Sequence, residues 1–351
     1  MRGTLLWGIC GAVLAFMGTT SPASAQARLF SDQLELQATI EGPIDALVRA
    51  SVRSTDPYPA IFVLEGGAQR YDMQMSARGI SRRIGGFCTF PPIRLDFDQN
   101  ALRGTLLQGQ NRLKLVTRCR AGGAYEHLTM LEYTAYRLYN EITPFSFRVR
   151  PVRVTYHDTD GRRRDTTQFN FLIEDVDDLA RRNRRVALEV QTREVTSAQL
   201  DPDLSASVGL FQYMIGNLDW DMVAGPAGQE CCHNGKLLAL SPTSRENVAP
   251  IPFDFDFSGF VNAPYATPPE GIDVSNVRTR HYRGYCRHND RLPAAAERFR
   301  ARRAALYAII DGETRLPESR RRVARRYIEG FFETLDDPER FNRQIVARCR
   351  G

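Results

Sequence analysis

Three carboxylates in one stretch of this sequence stand among apolar neighbours. The stretch from Phe211 to Gly259 carries Asp219 at the end of FQYMIGNLDW, and Asp254 and Asp256 within IPFDFDFSG. Burying an ionised carboxylate costs several kcal/mol unless it is paired, hydrogen-bonded or bound to a metal. The residue types and their spacing therefore predict a site that holds a compensating cation.

The basic residues are almost all arginine. The net charge is +6, yet Lys114 and Lys236 are the only lysines of the chain. A genome that favours arginine codons explains the bias, but arginine cannot copy the compact, single-point charge of a lysine, so Lys114 is a candidate functional residue. The arginine runs at 162–164, 181–185 and 319–326 are interpreted as solvated faces, and a nucleic-acid partner is not expected.

The N-terminus has the pattern of a secretory signal. Arg2 precedes an apolar run from Leu5 to Met17, and Ala23-Ser24-Ala25 is a small-residue cleavage site. We expect residues 1–25 to be a cleavable signal peptide, with cleavage near Ala25, and the mature chain to be periplasmic or secreted with no stable membrane span. An uncleaved anchor is the alternative.

The cysteine content fits an oxidising compartment. Six cysteines follow the signal, namely Cys88, Cys119, Cys231, Cys232, Cys286 and Cys349. An even number predicts three disulfides, for which fifteen pairings are possible. A zinc site is the alternative, but the spacings lack the paired short intervals that such sites use.

Alternation and turn residues predict a sheet-rich first half. Residues 29–75 alternate as strands, and Lys114 lies in a short buried strand, NRLKLVTRC. The clearest helix is predicted from Tyr125 to Ile142, with Glu132 at the border of its apolar stripe. Arg78 and Arg82 are interpreted as solvated loop arginines, with anion binding as the alternative.

The second half is predicted to be mainly helical. Apolar periodicity indicates helices near 205–216, 293–310, 317–335 and 337–348. The expected fold is therefore α+β with two lobes: a β-rich N-lobe with one central helix over 26–175, and a mainly helical C-lobe with the acidic metal site over 176–351.

Several local motifs and their order resemble the CotH-type spore-coat kinase family. Six segments are similar to segments of that family, namely RGISRR with FPPIRLDF, LTMLEYTAYRLYN, FRVRPVRVTYHD, FNFLIEDVDDLARR and PFDFDFSG. A further segment, GNLDW, resembles the catalytic loop of the HipA-type kinases. The resemblance covers roughly residues 75–260. It implies a protein-kinase-like fold, with an antiparallel-sheet N-lobe and a mainly helical C-lobe, and transfer of a phosphoryl or nucleotidyl group from ATP to a protein substrate or envelope partner.

The resemblance also implies roles for the acids. Asp219 matches the catalytic acid that orients the attacking hydroxyl and accepts its proton. Asn234 and Asp254 match metal ligands, and Asp256 is expected to share the metal, which would be Mg²⁺ or Mn²⁺. Asn234 lies fifteen residues after Asp219, and Ala224 occupies the position where kinases place this asparagine. An inserted segment must therefore be assumed.

On the nucleotide side, the resemblance implies that Lys114 binds the phosphates of ATP and that Glu132 holds this lysine. Glu174 matches the hinge near the adenine. The sequence has no Gly-x-Gly-x-x-Gly loop. Asn217 or Asp221 are alternatives to Asn234 as the metal-binding residue.

Two other functions remain open. A non-catalytic kinase-like module could use the acids to hold a divalent cation, with Ca²⁺ as a structural alternative. A sugar-transfer enzyme is the third possibility, because an Asp-x-Asp pair also holds a nucleotide-sugar through a metal. The sequence does not determine the oligomeric state.

Overall fold

A computed structural model describes residues 28–64, 69–84, 86–225 and 231–351. The predicted signal peptide and its cleavage site lie outside the described residues. None of the helices that the structure describes is both long and apolar enough to cross a membrane.

Within the described residues, the first half of the chain builds a closed β-barrel of seven strands. In chain order these are β1 (Leu36–Gly42), β2 (Tyr58–Leu64), β3 (Gln69–Ala77), β4 (Ile93–Phe97), β5 (Arg112–Val116), β6 (Val149–Asp158) and β7 (Thr166–Ile173). Their order around the barrel is β1-β2-β3-β4-β5-β7-β6. Parallel pairing of β1 with β6, from Leu36 opposite Val152 to Gly42 opposite Asp158, closes it.

This closure makes the predicted fold wrong. The two-lobed protein-kinase-like fold required an open antiparallel sheet in the N-lobe, whereas the structure has a mixed barrel with associated helices. The reason is physical. Alternation along a strand reveals its two faces but not its partner, and β1 and β6 are separated by about a hundred residues of sequence.

The described helices follow the sequence pattern more closely. They are α1 (Ile44–Ala50), α2 (Ser81–Ile84), α3 (Gly123–Ile142), α4 (Val176–Arg182), α5 (Pro202–Ile215), α6 (Leu292–Asp311), α7 (Glu318–Asp336) and α8 (Pro338–Gln344). The predictions of α3, α5, α6 and α7 are confirmed. Glu132 on α3 is buried and does not merely border the apolar stripe.

Two hydrophobic cores divide the molecule. One fills the barrel with residues from every strand. The other joins α3 and one face of β7 to α5, α6 and α7. The rings of Tyr139 and Phe211 are tilted by 31°, and their centroids lie 4.3 Å apart, so they connect α3 with α5. The helix predicted at the centre of the N-lobe therefore packs largely in the core of the second half.

A small sheet in the second half was not predicted. It contains β8 (Val186–Leu188), β9 (Gly235–Ala239) and β10 (Ala249–Pro252), in the order β10-β9-β8. Asn234 immediately precedes β9, and Asp254 follows β10 by two residues. The Phe253 N–H donates to the Asn234 carbonyl at 3.0 Å. Pairing of β9 with β10 thus brings Asn234 and Asp254 to the same edge.

The prediction of three disulfides is confirmed, and the structure selects one of the fifteen pairings. The bonds are Cys88–Cys119, Cys231–Cys232 and Cys286–Cys349.

Candidate functional site

One cavity brings together most of the predicted site residues. It has a volume of about 490 Å³ and lies where β4, β5 and α2 of the barrel face α3 and the loops around β9 and β10. Six of the seven predicted residues line it, namely Lys114, Glu132, Asp219, Asn234, Asp254 and Asp256. We call it the central cavity.

Lys114 is held in a largely apolar environment on β5. Its Nζ lies 5.4 Å from the ring centroid of Phe147 and 5.0 Å from that of Phe253, which are cation–π distances. Burial, reinforced by the positive charges of Arg78 and Lys236, lowers the pKa of Lys114 to about 7. Lys114 is half-buried, and a negatively charged ligand beside it would favour the protonated amine.

The ion pair between Lys114 and Glu132 that the resemblance implied is not formed in the described part of the chain. Glu132 interacts instead with the arginines and aspartates of the cavity. Burial, followed by repulsion from Asp256 and Asp254, raises the pKa of Glu132 well above its usual value. Glu132 is therefore part of an acidic group rather than a tether for the lysine.

Asp254 and Asp256 flank the buried ring of Phe255. Burial and the neighbouring Asp254 raise the pKa of Asp256 to about 7, while the Tyr265 hydroxyl donates to its Oδ2 at 3.0 Å. The backbone of Asp254 has a φ of 63°, in the left-handed region, and its N–H donates to the Tyr136 hydroxyl at 2.8 Å. This backbone conformation is uncommon for aspartate, and strained backbone is often found at functional sites.

Sequence reasoning missed the two arginines that face these acids. The interpretation of Arg78 and Arg82 as solvated residues is wrong: Arg82 is buried, its guanidinium donates to the Thr117 carbonyl, and both side chains line the central cavity. Burial lowers the pKa of Arg78, and Asp254 and Glu132 partly offset that effect. Arg78 directly follows β3 and Arg82 lies on α2, and no local pattern in the sequence marked either side chain as part of a cavity.

Asp219, His233 and Asn234 form a hydrogen-bonded cluster in the cavity wall. The His233 Nε2 lies 2.5 Å from Asp219 Oδ1, and the Asn234 Nδ2 donates to the Asp219 carbonyl at 2.7 Å and to Oδ2 at 2.9 Å. The hydrogen bond to Asp219 raises the pKa of His233. Asp219 therefore lies next to His233 and Asn234, which follow it by fourteen and fifteen residues in the sequence. His233 also lines the central cavity.

The two alternatives to Asn234 have structural roles. Asn217 is buried, and its Oδ1 accepts from the Asp219 N–H at 3.0 Å. Asp221 forms an ion pair of 2.6 Å with Arg350. Of the three candidates, only Asn234 lines the central cavity.

Glu174 lies outside the central cavity. It follows β7 and is almost fully buried, and its carboxylate pairs with Arg182. Its Oε2 also accepts from the backbone N–H of Arg148 at 3.0 Å. These contacts fix the backbone just before β6, and Glu174 is not among the residues that line the central cavity.

The donor set of the cavity fits a hard divalent cation that shares its coordination with a ligand. The described residues contain no group of three or more His, Cys, Asp or Glu side chains arranged for a metal. Mg²⁺, however, commonly uses one or two carboxylates and completes its shell with phosphate and water. The mutual repulsion of Asp254 and Asp256 is the electrostatic feature that a cation would relieve.

Comparisons with known proteins assign no family. No protein-family model matches the chain, and no curated protein matches it.

Proposed function

We propose that this chain is an exported, metal-dependent transferase that moves a phosphoryl or nucleotidyl group from ATP to a protein. The observation that carries the proposal is the position of the two lysines. Both Lys114 and Lys236, the only lysines in the sequence, line the same cavity as the acids. All other basic residues except the histidines are arginines, so the placement of both lysines in this cavity favours a role for compact ammonium groups, which act as point charges toward phosphate.

The cationic side of the cavity suits a polyphosphate. Arg78, Arg82, Lys114 and Lys236 line it, and so does a fifth basic residue, Arg94, which is paired with Asp96. Four cations in a partly buried cavity attract a polyanion more strongly than the same charges would in water, because the local dielectric constant is lower. The volume of about 490 Å³ lies within the range of small-molecule sites.

The acidic side supplies ligands for Mg²⁺ or Mn²⁺. Asp254, Asp256 and the amide oxygen of Asn234 would hold the ion, whose chemistry is to offset the negative charge of the transferring phosphate. Ligation favours the ionised carboxylate, so it would lower the pKa of Asp256 from its raised value. Glu132 and Arg78 would balance the remaining charge.

Asp219 is the group that would position the accepting hydroxyl. His233 and Asn234 each use one of its carboxylate oxygens. A carboxylate has about four acceptor positions, so Asp219 can still accept a hydrogen bond from a substrate hydroxyl. The two existing hydrogen bonds fix its orientation, as catalysis by positioning requires.

A second candidate is a non-catalytic binding module that holds a divalent cation, with Ca²⁺ as the structural choice. One observation favours it: both oxygens of Asp219 already have partners, while Lys114 forms no ion pair with Glu132. In this function the acids stabilise the junction between the barrel and the helices.

The test measures transfer from ATP labelled at the α- or γ-phosphate, with Mg²⁺ or Mn²⁺, to the protein itself and to envelope proteins. We expect labelling by wild type and its loss in Lys114→Met and Asp254→Asn. The γ-label reports phosphoryl transfer and the α-label nucleotidyl transfer. Arg326→Met is the matched control, because Arg326 is exposed on α7, away from the cavity lining.

Binding measurements separate the two candidates. Lys236→Met should weaken ATP binding by roughly tenfold, the effect of one charge-assisted hydrogen bond. If folded wild type binds Ca²⁺ but no ATP at about 1 mM, the upper end of usual KM values, the transferase proposal fails and the binding module stands.

A further inference from the structure

A second cavity lies against the opposite side of α3. It has a volume of about 440 Å³ and is bounded by the C-terminal part of α3, the start of β6, α4 and α6. Glu132 faces the central cavity and Glu141 this one. Nine residues, about two and a half turns, separate them, so their side chains leave α3 in opposite directions.

Four arginines line this cavity. They are Arg137, Arg148, Arg182 and Arg302, and Glu141 is the one acid in the described lining. We call it the arginine cleft. Apolar side chains of Phe30, Ile142 and Ile309 complete its walls.

One of the four arginines is already neutralised. Arg182 donates from Nε to Glu174 Oε1 at 2.9 Å and from Nη2 to Oε2 at 3.0 Å. Two more of its N–H groups donate to the carbonyls of Pro144 and Ser146. Arg182 is therefore a fixed part of the wall and does not require a ligand.

The other three arginines have incomplete partners. The guanidinium of Arg148 makes no hydrogen bond or ion pair with a described residue, and Glu174, the nearby acid, is already paired with Arg182. Arg137 donates to the neutral Tyr133 hydroxyl at 3.1 Å. Arg302 reaches Glu141 at 3.4 Å, a long contact on an exposed side chain. Three guanidinium groups thus face one carboxylate.

For Arg148, which is half-buried, this arrangement is costly without an anion. Burial and the neighbouring Arg182 lower the pKa of Arg148, which means that its positive charge is destabilised where it lies. An oxyanion in the cleft would supply the opposite charge and the acceptors that these N–H groups lack.

We propose that the arginine cleft binds a small molecule with two or more oxyanion groups, either phosphates or carboxylates. Planar guanidinium groups match both kinds of anion in a two-point geometry, and three of them converge here with one acid. The apolar wall allows a short carbon skeleton between the anionic groups. The cleft shares no lining residue with the central cavity, so the inference does not depend on the proposed transferase activity.

The test is calorimetric titration at constant ionic strength with inorganic pyrophosphate and, separately, with citrate. Pyrophosphate reports a phosphate ligand and citrate a carboxylate ligand. The titrations use the Lys114→Met, Lys236→Met double variant, in which anion binding to the central cavity is weakened. We expect at least one probe to bind with a Kd below about 1 mM.

Further substitutions in the same background locate the site. Arg148→Met and Arg302→Met should each raise the Kd roughly tenfold or more, while Arg326→Met leaves it unchanged. Arg302 is exposed on α6, so its variant tests the site even if Arg148→Met folds poorly. The proposal is overturned if neither probe binds, or if binding persists unchanged in Arg302→Met and in folded Arg148→Met.

Discussion

Two aspartates of the same long segment have opposite electrostatic environments. Although burial alone would raise the pKa of Asp221, the ion pair with Arg350 and the N–H groups of Val223 and Ala224 lower it. Asp256, thirty-five residues later, has a pKa raised to about 7 by burial and by Asp254. The carboxylate of Asp221 is stabilised by its protein partners, whereas the negative charge of Asp256 is not balanced by a comparable partner among the described residues.

The comparison separates a structural acid from a candidate functional acid. The disulfide Cys286–Cys349 holds the C-terminal residues in place, and the Cys286 N–H donates to the Arg350 carbonyl. Arg350 is thereby fixed beside Asp221. No comparable cation is fixed beside Asp256 at ion-pair distance within the described residues. Proteins accept such unfavourable charge mainly where binding or catalysis uses it.

The largest expected effect is a gain of stability in Asp256→Asn. The native carboxyl has a raised pKa and holds its proton more tightly than the unfolded chain, so wild-type stability falls as pH rises from about 4 to 7. The variant avoids this loss. Urea unfolding should show a gain of about 3 kcal/mol at pH 8 that disappears near pH 4. An unchanged or lower stability at pH 8 would contradict the raised pKa.

Asp221→Asn should have the opposite sign. Its native pKa is lowered, so the stabilisation is present above the unfolded pKa of about 4 and is lost as pH falls through the native value. We expect a loss of about 2 kcal/mol at pH 7, less than for a fully buried pair because Arg350 is partly exposed. The same urea titration measures it. Equal effects of Asp221→Asn and Asp256→Asn on the free energy of unfolding would contradict the difference between the two carboxylates.

Lys114→Met extends the comparison to a base. Burial and neighbouring cations lower the native pKa of Lys114 to about 7. Below that pH the protonated amine destabilises the native state, and this loss of stability is relieved as pH rises toward 10. Cavity solvent reduces the effect, and we expect a gain of about 1.5 kcal/mol at pH 6 that shrinks by pH 10. Arg326→Met, measured alongside, should change stability by less than about 0.5 kcal/mol at either pH.

The smallest expected effect is stabilisation by a metal. Mg²⁺ or Mn²⁺ at several times its Kd should stabilise wild type by about 1 kcal/mol, because it binds the native state alone. Calorimetric Tm values should rise by about 2 °C in wild type and not in Asp254→Asn. Asp221→Asn should keep the full response. If the rise in Tm were lost in Asp221→Asn and kept in Asp254→Asn, the assignment of the metal site to Asp254 would be wrong.

Much of the candidate site could be found from residue types alone. The scarcity of lysine identified Lys114, and carboxylates among aromatic residues identified Asp254 and Asp256; all three line the central cavity. These signals work because burying a charge is costly, and a charged residue in an apolar context therefore marks a special environment. Glu174 was chosen from the resemblance instead, and its carboxylate pairs with Arg182 outside the cavity.

The roles of Arg78 and Arg82 could not be predicted in this way. Both belong to a polar stretch that is typical of a solvated loop, and only the fold reveals that α2 covers the cavity. The same limit applies to His233, which depends on the segment before β9 folding back to Asp219. Contacts between residues far apart in sequence leave no local pattern.

By itself, the sequence determined the long helices, the formation of three disulfides, and the acids and lysines of the central cavity. Each of these follows from a property that can be read without the fold: periodicity, cysteine number and the cost of a buried charge, respectively. Only the tertiary structure decided that β1 pairs with β6 to close a barrel, which cysteines pair, and which carboxylates have partners. The physical reason is that each of these depends on the free energy of contacts between distant segments. An aspartate is a structural anchor where Arg350 lies beside it, as for Asp221, and a candidate ligand where another carboxylate lies beside it, as for Asp256.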